Sequence, residues 1–289
     1  TGGDIWTVPH FSGFAPRFFL KWAFVSGAQR RGIRDSQRIF MDKTNPVVED
    51  LITPLFDADR RIETGVPAIY APAYDGQAWS RRLAQSTMKS RFEALRQNTD
   101  VFLVHHVKHL WQPKSVASFD PYQVKGNDRI LYGLAQLRAA QPGLRVKVLM
   151  CEYGPDVAAT KALSDELGVA DMIEWIPLTP RREIMIAISL ADAVIGELAR
   201  SWLTYGVVIE AMVQGTPIIH NRDDEFFAPR PLYPMYHATS GKDVAQAILR
   251  IAHDPSEARA IGAAGKSWYN EETIAPCIKE ILCLTPSPN

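Results

Sequence analysis

Between residues 100 and 265, short runs rich in β-branched and aliphatic residues alternate with stretches of helical periodicity. The β-rich runs are residues 100–104, 146–150, 172–176, 193–195 and 217–219. The helical stretches that separate them are about 10 to 14 residues long. Strands alternating with helices of this length are joined by right-handed crossovers, which makes the strands parallel and covers both faces of their sheet. The pattern therefore predicts an α/β fold with a Rossmann-like parallel sheet and helices on both faces.

Residues that favour helix ends bound the helical stretches. The start and stop signals are Asn127-Asp128, Pro142-Gly143, Asp156, Gly168, Thr179-Pro180 and Gly215. Thr179 is the expected N-cap and Pro180 the expected first-turn residue of one helix. Further helices are expected over 207–213 and 241–253, the second being clearly amphipathic.

Composition narrows the class of protein. Of the 289 residues, 46% are hydrophobic and 22% charged, which excludes wholesale disorder, a collagen-like fibre and a coiled coil. The 32 basic and 32 acidic residues balance, so we expect no nucleic-acid partner. Cys151, Cys277 and Cys283 form no CxxC pair, which favours a cytoplasmic location. The sequence contains no run of about 18 apolar residues, the length that a helix needs to span a bilayer.

Three segments are expected. Residues 63–268 form the Rossmann-like domain, and residues 269–289 form a C-terminal helix and tail. Residues 1–62 are too few for a complete α/β domain and are interpreted as part of one, with candidate strands at 4–8 and 38–41. Because the chain starts at Thr1 without Met or a signal peptide, we expect it to begin inside a domain.

An aromatic cluster lies within the first segment. It comprises Phe14, Phe18, Phe19, Trp22 and Phe24, with Arg17 and Lys21 between them and Arg30, Arg31 and Arg34 after them. This pattern is typical of a core helix. The alternative is peripheral membrane contact through residues 14–34 on an anionic surface.

Two loops after predicted strands carry the chemistry, because open parallel sheets bind ligands at the carboxyl ends of their strands. The first loop contains His105, His106, Lys108, His109, Lys114, Lys125 and Gly126. A lysine and a glycine just before a helix N-terminus suit a phosphate, although a solvated loop lysine has the same sequence. The three histidines could hold zinc if they lay on a helix, but they follow a strand and lack the Glu of an HExxH motif.

The second loop leads into the predicted helix over 207–213. Gly206 opens this helix, so N–H groups beside it can hold an anionic oxygen. Glu210, about one turn later, can accept hydrogen bonds from two vicinal hydroxyls such as those of a ribose. The alternative role for Glu210 is a first-turn acid that complements the helix dipole.

The sequence EAMVQGTPII at 210–219 is similar to the EAMA-x-G-x-P-V-I signature of GT-B glycosyltransferases, in particular the retaining family 4 group. KGND at 125–128 resembles the K-G-x-D segment of that family. Gly154-Pro155, residues 167–177 and residues 190–193 resemble further family segments in the same order. The resemblance covers about 65–268 and is faint before it, where DIWTVPH at 4–10 resembles a strand end of the family.

The resemblance implies a site for a UDP- or GDP-linked sugar donor. Lys125 and Gly126 would hold the diphosphate together with Lys108 or His109, and Tyr205-Gly206 would present N–H groups to it. Trp175 and Ile176 would contact the base, and Glu210 the ribose. His10 would face the cleft. Lys125, Glu210 and His10 are thus the implied catalytic residues.

The implied activity is hexosyl transfer to a hydroxyl of a saccharide or lipid-linked acceptor in carbohydrate biosynthesis. The resemblance also implies retention of configuration without a metal, a further cofactor or a protein nucleophile. The sequence departs from the family at Trp202, which stands eight residues before Glu210, where the family has a sugar-contacting Glu. Glu197 could supply that carboxylate, but its spacing differs by five residues. The alternative is a non-catalytic nucleotide- or sugar-binding relative, or an inactive fragment without a complete acceptor domain.

Overall fold

The computed structural model describes residues 27–41, 53–64, 68–115 and 123–284. The chain divides into two compact units, one of Thr1–Pro67 with Glu272–Asn289 and one of Ala68–Glu271. The predicted strand at 4–8, the aromatic cluster and His10 lie outside the described residues. Most of the predicted C-terminal segment, from Glu272 onward, groups with the first unit.

The described part of the first unit begins with α1 (Gly27–Asp35) and a parallel pair of short strands, β1 (Ile39–Phe40) and β2 (Arg61–Ile62). The strand predicted at 38–41 is confirmed by β1. After β2, the fully buried Thr64 hydroxyl donates to the carbonyl oxygen of Glu272 at 3.1 Å. This hydrogen bond joins the two separate stretches of sequence that make up the unit.

The second unit is built on a six-stranded parallel sheet, so the predicted fold class is confirmed. Its strands are β3 (Val101–His105), β4 (Val146–Cys151), β5 (Ile173–Ile176), β6 (Ala193–Ile195), β7 (Ile218–His220) and β8 (Tyr236–His237). The spatial order is β5-β4-β3-β6-β7-β8. The chain moves outward from β3 to β5, then returns to the other side of β3 and moves outward again. The order therefore reverses between β3 and β6, the place where such sheets open a crevice for ligands.

Helices cover the sheet. They are α2 (Gly76–Ala84), α3 (Lys89–Gln97), α4 (Asn127–Ala140), α5 (Val157–Glu166), α6 (Arg181–Leu190), α7 (Gly206–Gln214), α8 (Asp224–Phe227), α9 (Gly241–His253) and α10 (Pro255–Tyr269). A π-helical turn (Asn270–Ile274) leads into α11 (Ala275–Leu284). Gly215 ends α7 in the left-handed conformation, φ +71°, as predicted. The predicted cap of α6 is off by one residue, since Pro180 itself is the N-cap.

The core lies between the sheet and its helices. All five residues of β3 are buried, as expected for a strand covered on both faces. The apolar face of α4 packs on α9 at close range, because both helices have a glycine where they cross. A Cβ on Gly133 would lie 2.8 Å from the carbonyl oxygen of Gly241. This packing fixes the N-terminus of α4 beside the switch between β3 and β6.

Candidate functional site

Two loops meet at the switch point, one from β3 to α4 and one from β6 to α7. Lys125 ties them together through its backbone. Its carbonyl oxygen accepts from Leu198 N at 2.9 Å and Ala199 N at 3.3 Å, while its N–H donates to Leu110 O at 2.8 Å. Gly126 makes the approach possible: its φ is +72°, and a Cβ there would lie 3.0 Å from Ala199 N. The backbone thus holds the Lys125 side chain against the loop after β6.

The Lys125 ammonium contacts a buried carboxylate. Its Nζ lies 2.8 Å from Glu197 Oε1, with side-chain exposures of 17% for Lys125 and 8% for Glu197. Burial raises the pKa of Glu197, and the ammonium opposes part of that shift. Glu197 Oε2 is buried and has no hydrogen-bond partner within the described ranges. The structure therefore brings Lys125 and Glu197 together. The sequence had suggested Glu197 only as a replacement for the missing family carboxylate, at a spacing that differs by five residues.

Glu210 lies in α7 with both carboxylate oxygens engaged. Oε1 is 2.9 Å from Arg181 Nε, and Oε2 is hydrogen-bonded to His106 Nε2. Glu210 is buried, whereas the Arg181 side chain is 55% exposed. His106 Nδ1 is buried without a partner in the described part of the chain. A ligand hydroxyl could reach Glu210 most easily by displacing Arg181, because that side chain is the solvent-facing one.

Sequence reasoning predicted neither contact of Glu210, although it placed His106 in the first of the two loops. His106 follows β3 and Arg181 opens α6, so they approach the carboxylate from two other loops. A signal was available for His106, since it is the first residue after β3 at the switch point. Arg181 lacked a signal of that kind, because its position depends on how α6 packs beside α7.

The N-terminus of α7 is open. Gly206 is exposed, and a Cβ built on it would meet no described atom within 4 Å. Tyr205 precedes the helix but turns its hydroxyl inward, where it accepts from Glu197 N at 2.7 Å. Burial raises the pKa of the Tyr205 hydroxyl well above its usual value, so it stays protonated. The first N–H groups of α7 consequently have no side-chain cap from Tyr205 and can donate to an anion.

His105 has a structural role. Its Nδ1 donates to Ile195 O at 2.9 Å, and its Nε2 accepts from Asn127 Nδ2 at 2.9 Å. Burial lowers its pKa to about 3, so the ring is neutral and joins β3, β6 and α4. This arrangement braces the switch point and contributes no charge to it.

His109, one of the two predicted further contacts of the diphosphate, is also enclosed. It is fully buried, its Nδ1 lies 3.1 Å from Thr160 Oγ1, and burial lowers its pKa to about 4. The ring is 5.3 Å from the Trp175 ring, centroid to centroid. His109 is therefore neutral at pH 7, and its contact with a diphosphate stays a prediction. Lys108, its alternative in the prediction, is exposed.

The three histidines of this loop thus face separate partners. In the ranges that the structure describes, no group of three or more His, Cys, Asp or Glu side chains is placed to hold a metal ion. The zinc alternative consequently has no geometric support among these residues.

The residues predicted to contact a base lie at the end of β5. Ile176 is fully buried, and its carbonyl oxygen accepts from Glu152 N at 2.8 Å. The Trp175 ring lies tilted against that of His109, and Lys161 Nζ is 5.0 Å from the centroid of the Trp175 ring. The Ile176 side chain is enclosed and the Trp175 side chain is partly exposed. Base contact by Trp175 and Ile176 stays a prediction.

The predicted membrane contact falls only partly on described residues. In α1, Arg30, Arg31 and Arg34 are exposed, and none of residues 27–35 is buried. Among the helices described, none is both long enough and apolar enough to cross a membrane. Contact with a membrane surface through residues 14–34 stays a prediction.

Neither a family model nor a curated protein matches the sequence. Solved structures share its fold. HepE from Anabaena, in complex with UDP, has a TM-score of 0.59 at 13% identity and covers 94% of this chain and 70% of its own. A glycosyltransferase from Rickettsia africae has a TM-score of 0.56 at 14% identity, covering 95% and 67%. WaaG, a glycosyltransferase involved in lipopolysaccharide biosynthesis, has a TM-score of 0.54 at 14% identity, and the match covers 96% of this chain and 72% of WaaG. The fold is that of GT-B glycosyltransferases.

Proposed function

We propose that this protein transfers a sugar from a UDP- or GDP-linked donor to a hydroxyl of a saccharide or lipid-linked acceptor, with retention and without a metal. The observation that carries the proposal is that the backbone of Lys125 is bonded to the loop after β6, the loop that leads to the open N-terminus of α7 at the switch point. The glycosyltransferase fold of its structural neighbours supports it, and HepE is a neighbour crystallised with UDP.

The Lys125 ammonium and the first N–H groups of α7 suit a diphosphate leaving group. Negative charge builds on the diphosphate as the bond to the sugar breaks. Fixed donors in a partly buried site stabilise that charge without reorganising. An ammonium has three N–H donors, so Lys125 can bind a phosphate while it keeps its contact with Glu197.

Glu210 suits the ribose. Its carboxylate lies in the first turns of α7, close to where the diphosphate would sit, and can accept from two vicinal hydroxyls once Arg181 moves aside. His106 keeps one oxygen oriented during this exchange. In the proposed mechanism no residue of the chain forms a bond to the sugar, and a phosphate oxygen of the donor takes the proton of the acceptor hydroxyl.

One observation favours the non-catalytic alternative. One oxygen of Glu210 and one of Glu197 already contact cations of the chain itself, and the other oxygen of Glu210 is hydrogen-bonded to His106. A site so neutralised can bind a nucleotide without promoting the bond cleavage. Trp202, in place of the expected carboxylate, adds to this alternative.

Calorimetry with UDP and GDP tests the binding step. We expect Lys125→Ala to weaken the preferred nucleotide about 10- to 100-fold, since a charge-assisted hydrogen bond is lost, and Glu210→Ala about tenfold. Lys147→Ala is the matched control, because its ammonium binds Asp171 O at the opposite end of the sheet. Unchanged nucleotide affinity in both site variants would refute the proposal.

Turnover separates the enzyme from the binding module. Hydrolysis of UDP- and GDP-sugars is followed by proton NMR with and without EDTA. The proposal expects turnover in EDTA and first release of the anomer that the donor carries. Tight nucleotide binding without any turnover would favour the non-catalytic alternative.

A further inference from the structure

We infer that Asn221 is a positioning residue for the diphosphate contact: its side chain fixes the loop after β6, and that loop fixes Lys125. The inference rests on the proposed function and deepens it, because it names a residue outside the nucleotide contacts on which the strength of diphosphate binding depends. Asn221 directly follows β7 and is partly exposed.

The loop after β6 sets where the Lys125 side chain lies. Leu198 N and Ala199 N donate to the carbonyl oxygen of Lys125, at 2.9 Å and 3.3 Å. Glu197, the residue before them, holds the Lys125 ammonium at 2.8 Å. Lys125 is therefore bound to this loop through both its backbone and its side chain. A displacement of residues 197–199 would displace the ammonium with them.

Asn221 holds the same loop from its other side. The backbone N–H of Asn221 donates to Glu197 O at 2.9 Å, and its Nδ2 donates to Ala199 O. Its Oδ1 lies 3.1 Å from His237 Nε2, which must be the donor because an amide oxygen carries no proton. One orientation of the side-chain amide thus satisfies both contacts. Together they join the loop after β6 to β8.

The carbonyl oxygens of the two residues that bind Lys125 each have a side-chain donor. Asn221 supplies the donor for Ala199, and Arg129 Nη1 supplies the donor for Leu198. All four polar backbone atoms of Leu198 and Ala199 are therefore hydrogen-bonded. Both residues are buried, so water cannot easily replace a donor that is lost. Losing the Asn221 amide would loosen the segment on which Lys125 depends.

Asn221 acts on the ligand through geometry alone. Its side chain is uncharged, and its amide nitrogen and amide oxygen already have partners in the protein. Replacing Arg129, by contrast, would also remove a positive charge near the site. Fixed donors stabilise an anion without having to reorganise. A Lys125 ammonium that moves with a loosened loop therefore binds a diphosphate less tightly.

A double-mutant cycle tests this role, with UDP and GDP affinities measured by calorimetry. We expect Asn221→Ala to weaken the preferred nucleotide about 3- to 10-fold, the loss expected for one neutral hydrogen bond. In the Lys125→Ala background the same substitution should change this affinity by less than about twofold, because the side chain that Asn221 positions is absent. Asn221→Leu keeps the volume without the amide and should behave like Asn221→Ala. Far-UV circular dichroism shows that each variant is folded.

Asn98→Ala is the matched control. Asn98 Nδ2 donates to Ala94 O at 2.8 Å, so this variant also loses one hydrogen bond between an amide and a backbone carbonyl. Asn98 lies between α3 and β3, at the end of the sheet opposite the switch point. Its replacement should leave the UDP and GDP affinities unchanged in both backgrounds.

The outcomes separate this inference from the proposed function. Equal losses in the two backgrounds would show that Asn221 supports the fold in general, and unchanged affinity in Asn221→Ala and Asn221→Leu would show that the loop keeps its place without the amide. Either result overturns the inference and leaves the proposed function intact. A wild-type chain that binds neither UDP nor GDP overturns the proposed function, and the inference with it.

Discussion

Replacing Lys125 by Met would leave the Glu197 carboxylate buried without its ammonium. Methionine keeps most of the side-chain length, so the change removes charge more than packing. Breaking a buried ion pair from one side costs about 3–5 kcal/mol in free energy of unfolding. Because the Lys125 side chain is 17% exposed, we expect the lower end, about 3 kcal/mol near pH 8.

The loss should depend on pH. Burial raises the pKa of Glu197 already, and without Lys125 the main opposing influence disappears. A carboxyl with a raised folded-state pKa adds stability below its unfolded pKa of about 4.3 and loses this contribution as pH rises through the folded pKa. The deficit of Lys125→Met against wild type should therefore be largest near pH 8 and shrink steadily as pH falls towards about 5.

Urea unfolding across this pH range measures the deficit. Lys161→Met is the control, because Lys161 pairs with Glu152 where both side chains are about 40% exposed. Such a pair contributes about 0–1 kcal/mol. Adding Glu197→Gln to Lys125→Met should restore most of the stability and flatten its pH dependence. A deficit equal at every pH, or a double variant no more stable than the single one, would refute the reasoning.

Two further predictions concern the packing around the site. Gly133→Ala should lower the free energy of unfolding by about 1–3 kcal/mol, because its Cβ would lie 2.8 Å from Gly241 O; Gly143→Ala, with no described atom within 4 Å, should stay close to wild type in the same urea experiment. Asp156→Ala removes the buried carboxylate that accepts from the backbone N–H of Trp111 at 2.7 Å. Hydrogen exchange of this backbone amide, measured by NMR, should therefore become at least about tenfold faster. Unchanged exchange there would show that the loop is held by other contacts.

The sheet could largely be predicted from the sequence. Strands β3 to β7 lie within one residue of the predicted runs, because strands covered on both faces are nearly continuous apolar segments. Strand β8, Tyr236–His237, was not predicted, because a two-residue strand is too short to show a recognisable pattern of apolar residues. Helix α9 was predicted at its observed bounds, because its apolar periodicity and its capping residues indicate the same start and end.

The site was less accessible to prediction. Local motifs suggested Lys125, Gly206 and Glu210, since each stands at a helix start or in its first turns. The contact between Lys125 and Glu197 depends instead on β6 lying beside β3, and strand order has no local signal. The burial of His109 likewise depends on packing against other elements, which the local sequence does not reveal.

The backbone carbonyl oxygen of Lys125 accepts hydrogen bonds from two backbone amides of the loop after β6. The two loops consequently cannot change length independently during evolution. An insertion in either would pull Lys125 away from Glu197 unless the other loop compensated. Among homologues we therefore expect paired insertions and deletions at these two places, and a chimaera that exchanges only one loop should lose the ion pair.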